Sequence, residues 1–141
     1  MAFRLDAYDR SEPLVIDPTI VYTYLLGGGT GSTFSQAIAV DTGGNAYIAG
    51  QAWGEDLPTV NAPYPQAGGT GSAFISKIDP TGTTLLYSTY INGMGNGTLT
   101  SIALDSAGNA WLAGWSTSTQ FPLVNPYQFT VGSEEIGRAH V

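Results

Sequence analysis

The decapeptide DTGGNAYIAG at residues 41–50 returns as DSAGNAWLAG at residues 105–114, with six of ten positions identical and the other four exchanged like for like. A chain that repeats itself at a fixed spacing builds from a repeated structural unit, and this constrains its fold more tightly than any local propensity. The offset of 64 residues that carries Ile38 onto Ile102 still holds where Asn61 meets Asn125. Two flanking stretches follow once short gaps are allowed. DLPTVNAPYPQ (56–66) aligns with QFPLVNPYQ (120–128), and VYTYLLGG (21–28) aligns with YSTYINGMG (87–95).

Within one period four apolar runs are bounded by turn residues, as strands require: AIAV (37–40), NAYIAG (45–50), AFISKI (73–78) and LLYSTYI (85–91). Between the first two, Asp41 can bond the backbone ahead of it, Gly44 can take positive φ, and Asn45 closes the turn. Asp105, Gly108 and Asn109 do the same in the second copy. DPTGTT (79–84) supplies another tight turn, with Pro80 fixing φ and Gly82 free to turn left-handed. A long loop, Gln51 to Ser72, separates the second and third runs, and loops of that length are either functional or packed excursions. The expected fold is all-β, with four antiparallel strands per repeat. The period exceeds the roughly 40 to 50 residues of common propeller repeats, and the surplus lies in the long loop.

Composition supports strands over helices: 19 Gly and 8 Pro accompany only 11% charged residues. A net charge of −7 repels phosphate backbones, so nucleic acid is not an expected partner. The sequence has no Cys, and no apolar run nears the roughly 20 residues that cross a bilayer.

AVDTGGNAYIAG, AFISKIDPTGTTLLYSTYI and ALDSAGNAWLAG resemble the SBBP repeat, a bacterial β-propeller repeat, over about residues 20–130. The resemblance implies blades of four antiparallel strands, here about one and a half of them in an incomplete ring. The propeller repeats are expected over residues 20–134, containing a blade at 37–91 and a partial blade at 100–134. FRLDAYDRSEPLVIDP opens the chain with short apolar pieces broken by Pro13 and Pro18, and residues 1–19 are expected to be the tail of a preceding N-terminal domain. The strand expected at Ile20 to Leu26 is the outer strand of a blade whose inner strands are missing, or the piece that closes a ring. Residues 135–141, EIGRAHV, hold the only His and resemble an in-frame translation of a sequencing adapter, as in a metagenomic read. They are set aside from the fold argument. The resemblance further implies a secreted or cell-surface bacterial protein whose partners are the other blades of its own chain, and protein or glycan at the cell surface. Such a fragment is expected to fold poorly alone, because its strand edges are unpaired.

No catalytic constellation emerges. Asp41 and Asp105 hold equivalent turn positions and do not pair as two carboxylates of one site. Calcium is the rival reading of the two turns, but they lack the alternating acids and distant Glu of a helix-loop-helix site. GGGTGS (27–32) and GGTGS (68–72) lack the Lys of a phosphate loop. No metal, cofactor or enzymatic activity is therefore expected of what reads as a structural or interaction fragment; the alternatives are a carbohydrate or cell-wall binding module, and a piece of a propeller lyase or hydrolase whose active site lies in missing blades. Ligand contact, if any, falls to aromatics in or beside the long loop, Trp53 and Trp115, with Asp56 as a polar partner. Trp111 stands in for Tyr47 within a strand and reads as packing.

Overall fold

The computed structural model describes residues 20–69, 71–91 and 97–116, together with the backbone of the strand at 135–140. The expected N-terminal tail (1–19) and most of the second long loop (117–134) lie outside these residues. Strands β1 (Thr33–Val40), β2 (Ala46–Ala52), β3 (Ser72–Ile78) and β4 (Leu85–Ile91) form one antiparallel sheet in chain order. Strands β5 (Thr98–Leu104), β6 (Ala110–Ser116) and β7 (Glu135–His140) form a second. Among the described residues there is no helix, and the two sheets close no ring.

The second sheet reproduces the first down to its irregularities. β1 pairs with β2 through Ile38↔Ile48 and Val40↔Ala46, and β5 pairs with β6 through Ile102↔Leu112 and Leu104↔Ala110. Each first strand carries one extra residue, Gln36 or Thr100, because the register jumps between Ser35 and Ala37 and again between Leu99 and Ser101. The bulge explains the glycine that ends each decapeptide. A Cβ on Gly50 would overlap the Phe34 carbonyl, and one on Gly114 would overlap the Thr98 carbonyl. β1 and β5 thus start earlier than the apolar runs suggest, since a bulge interrupts the alternation that marks a strand.

Side chains alternate across each sheet, so each has two faces to cover. On one face of the first sheet Tyr47, Ala49, Ala73, Ile75 and Ile91 meet Leu99, Ala110 and Leu112 of the second, with Ile102 and Leu104 packed at the margin. This core between sheets is the main contact of blade on blade, and the small Ala side chains allow the close approach. The opposite face of the first sheet is covered near its outer strands, where Ala52, Leu57, Phe74 and Tyr90 pack with Leu26 and Ala67. A buried hydroxyl pair, Ser76 and Ser88 at 2.7 Å, ties β3 to β4 beneath that cover.

The long loop is a packed excursion. Val60 forms a two-way backbone bridge with Ser88 on the free edge of β4, and the side-chain amide of Asn61, a residue at φ 50, donates to the Leu86 carbonyl at 3.0 Å. The same Val-Asn pair recurs in the sequence at Val124–Asn125.

Two expectations change. Ile20 to Leu26 does not form a strand: it runs unpaired, with Ile20, Val21 and Leu25 largely exposed. Its partners would have to come from another blade, and a strand without a neighbour has nothing to bond. Residues 135–140, set aside in the sequence argument, form β7 and pair with β6 from Trp111↔His140 to Ser116↔Glu135. Pairing of this kind uses backbone groups that nearly any sequence offers to an open edge.

Candidate functional site

The two copies of the repeated turn face each other across the junction of the sheets. In the first, one Asp41 carboxylate oxygen accepts from the Gly43 and Asn45 amides, both at 2.9 Å, and the Asn45 side chain donates to the other oxygen at 2.8 Å. Gly44 sits at φ 83, and the turn closes when its N–H donates to the Asp41 carbonyl. In the second, Asp105 accepts from the Ala107 and Asn109 amides at 2.9 Å and from the Asn109 side chain at 2.7 Å, with Gly108 at φ 85. Only glycine takes such a φ without strain.

Between the turns lies a cleft of about 520 Å³ walled by both turns, Tyr47 and Lys77. Lys77 is the only Lys in the sequence. Its ammonium lies 3.2 Å from Asp41, donates to the Tyr47 hydroxyl at 2.7 Å, and sits 4.6 Å above the centre of the Tyr47 ring. Tyr47 in turn donates to the Gly108 carbonyl at 3.4 Å. One polar chain therefore runs from the first turn through Lys77 and Tyr47 to the second. Tyr87 lies edge-on to Tyr47, ring centres 6.2 Å apart, and burial pushes its hydroxyl up to about 12.

These environments decide what the cleft can do chemically. The Asn45 side chain, then its amide and Lys77, outweigh desolvation and lower Asp41 to about 2. Burial pulls Lys77 down, but the Tyr47 hydroxyl and the Asp41 carboxylate more than offset it and hold the ammonium above its ordinary value. A general acid or base at neutral pH needs the opposite displacement. The Asn109 side chain likewise leads the lowering of Asp105. The network is an ion pair within the first blade, joined to the second by the hydrogen bond from Tyr47 to the Gly108 carbonyl.

The proposed ligand-contact residues are scattered. Trp53 opens the long loop; its amide donates to the Ser32 carbonyl at 2.9 Å and its side chain is 46% exposed. Asp56 accepts from the Gly29 and Thr30 amides at 2.6 and 2.9 Å, stapling the glycine-rich loop to the long one. Hydrogen bonding from Thr30 leads the lowering of its pKa. Trp115 lies within β6, opposite Thr98, at the register position of Gln51. Trp53 and Trp115 thus belong to different blades.

Sequence reasoning missed Gln51, Lys77 and the bulge-facing glycines. Gln51 is buried between blades, where its amide donates to the Gly71 carbonyl at 3.1 Å and to the Gly97 carbonyl at 3.0 Å. A solitary lysine in a chain of net charge −7 is the signal that would have found Lys77.

The family model of the SBBP β-propeller repeat matches residues 21–58, from the exposed N-terminal stretch through β1, β2 and the start of the long loop. No curated protein and no solved structure gives a significant match.

Proposed function

We propose, for a chain that is an SBBP-type repeat protein, a non-enzymatic structural role: it stacks blade on blade and presents its loops to a partner at the bacterial cell surface. The observation that carries this reading is the core between the sheets, where both copies of the repeat place their most regular residues. The turns, the Lys77 network and Gln51 all serve that junction. Placement outside the cytoplasm rests on the family resemblance alone.

Carbohydrate is the second reading, favoured by the exposed Trp53 ring, a surface on which a sugar can stack. Asp56, its polar partner in this reading, has one carboxylate oxygen, Oδ2, accepting from the Gly29 and Thr30 amides. Both readings meet on one experiment: a glycan array and a panel of cell-envelope proteins probed with the chain and with Trp53→Ala. Glycan binding lost in Trp53→Ala supports the carbohydrate reading, and silence on the array removes it. Chemical turnover of any bound ligand, followed by mass spectrometry, would overturn the non-enzymatic role.

A further inference from the structure

The outermost strand of the first sheet, β4, reads LLYSTYI, with no charged residue, no Pro and no Gly. An uncovered edge of that composition recruits strands from other chains, the property that drives cross-β association. How many blades the protein holds does not alter this exposure, because neighbouring blades stack on the faces of a sheet and leave its outer edge to solvent. The long loop covers the edge bond by bond. The Val60 amide donates to the Ser88 carbonyl at 3.0 Å, and the Ser88 amide returns a bond to the Val60 carbonyl at 2.9 Å. The Asn61 side chain donates to the Leu86 carbonyl at 3.0 Å, and the Tyr90 amide donates to the Tyr64 carbonyl at 3.1 Å. Tyr64 also ties itself to the strand through its own amide, which donates to the Thr89 hydroxyl at 3.1 Å. Leu86, Ser88 and Tyr90 alternate along β4, so these backbone groups lie on the side away from β3.

The cover closes this edge without making a new one. Pro58, Pro63 and Pro65 flank the covering residues and have no N–H to offer a further strand. Asn61 sits at φ 50, outside the extended range, so the single bridge at Val60 does not lengthen into a strand. The second long loop carries the same residues in the same order: Pro122, Val124, Asn125, Pro126 and Tyr127. We infer that residues 58–65 are an edge guard, a built-in cover that keeps β4 from pairing with a strand of another chain. The surplus that lengthens this repeat beyond common propeller repeats is then, in part, the guard itself. Presentation to a partner falls to the rest of the loop, including Trp53 with its exposed ring.

The full chain tests this as wild type, as Val60→Pro, and as Val60→Pro combined with Leu86→Lys, by amide exchange and by light scattering with thioflavin fluorescence over a range of concentrations. Val60→Pro deletes the N–H that bonds Ser88, so the Ser88 and Tyr90 amides are expected to exchange on the order of tenfold faster. With the edge open, β-sheet association should set in at a concentration on the order of tenfold below that of wild type. Leu86 is exposed on the same strand, and a Lys there places a charge on the open edge. The double variant should therefore return to the wild-type threshold while Ser88 and Tyr90 still exchange fast, a result that lost stability alone does not produce. Should Val60→Pro also strip protection from β2, Asn61→Ala opens the guard more mildly and repeats the comparison. Unchanged exchange at Ser88 and Tyr90 would overturn the proposal. So would fast exchange in a variant that stays as dispersed as wild type, or a double variant that associates as readily as the single one.

Discussion

At the scale of single residues, the repeated decapeptide separates what a sequence exposes from what it hides. The roles of Asp41, Gly44 and Asn45 were legible because every bond they make in the turn lies within five residues. Those of Gly50 and Gly114 were not, because the carbonyls that exclude a Cβ come from a bulge on the neighbouring strand. The turn carboxylates also set a pH dependence. Asp41 titrates near 2 when folded, below its ordinary value of 3.8, so the folded state holds its proton less tightly than the unfolded chain does. Its contribution to stability is complete above about pH 4 and fades as pH falls through about 2. Asp56, Asp79 and Asp105 are lowered too and act in the same direction. Urea midpoints measured from about pH 7 to about pH 2 should therefore fall steeply below about pH 4. Asp41→Asn should be less stable at about pH 7 and show a shallower acid slope, converging on wild type near pH 2. A variant that loses stability in parallel with wild type at every pH would show that Asp41 is not one of the groups responsible.

At the scale of elements, alternation and turn chemistry locate all four strands of the first blade. β4 matches at both ends, and β1 is cut short where the Gln36 bulge breaks the period. The packing of the long loop was not legible, because its anchors are single contacts far apart in sequence. One of these can be tested directly. The Tyr90 hydroxyl accepts from the Leu57 amide at 2.9 Å and reaches the Gly54 carbonyl at 3.5 Å, within the cluster that Leu57 and Ala67 share with Phe74. Tyr90→Phe keeps the ring and leaves a buried N–H without its acceptor, a loss of about 1–3 kcal/mol. The expected result is a lower denaturation midpoint together with faster proteolytic cleavage between residues 53 and 69. Unchanged cleavage would mean that the Val60 bridge and the Asn61 cap hold the loop without Tyr90.

At the scale of the whole molecule, the two sheets do not depend on each other equally. The first has four strands and a second cluster around Phe74 and Tyr90 in which, among the described residues, none of the second sheet takes part. The second has three, and its buried apolar residues Leu99, Ala110 and Leu112 all lie in the shared junction. Repeat proteins of this design draw stability from neighbour contacts more than from any single unit, so the sheet whose described buried apolar residues all lie in the junction should open first. Leu112→Ala removes a side chain from that junction, where loss of a buried Leu costs about 2–5 kcal/mol. Much of that cost should fall on β5 and β6, because β2 and β3 keep their ladder with β1 and β4 whether or not the second sheet is docked. Hydrogen exchange at low protein concentration should thus show residues 98–116 losing protection in Leu112→Ala while 72–91 retain most of theirs. Equal loss across both sheets would make the pair a single cooperative unit. The wild-type chain should show the same order more weakly, and uniform strong protection of both sheets at low concentration would count against this hierarchy of stability.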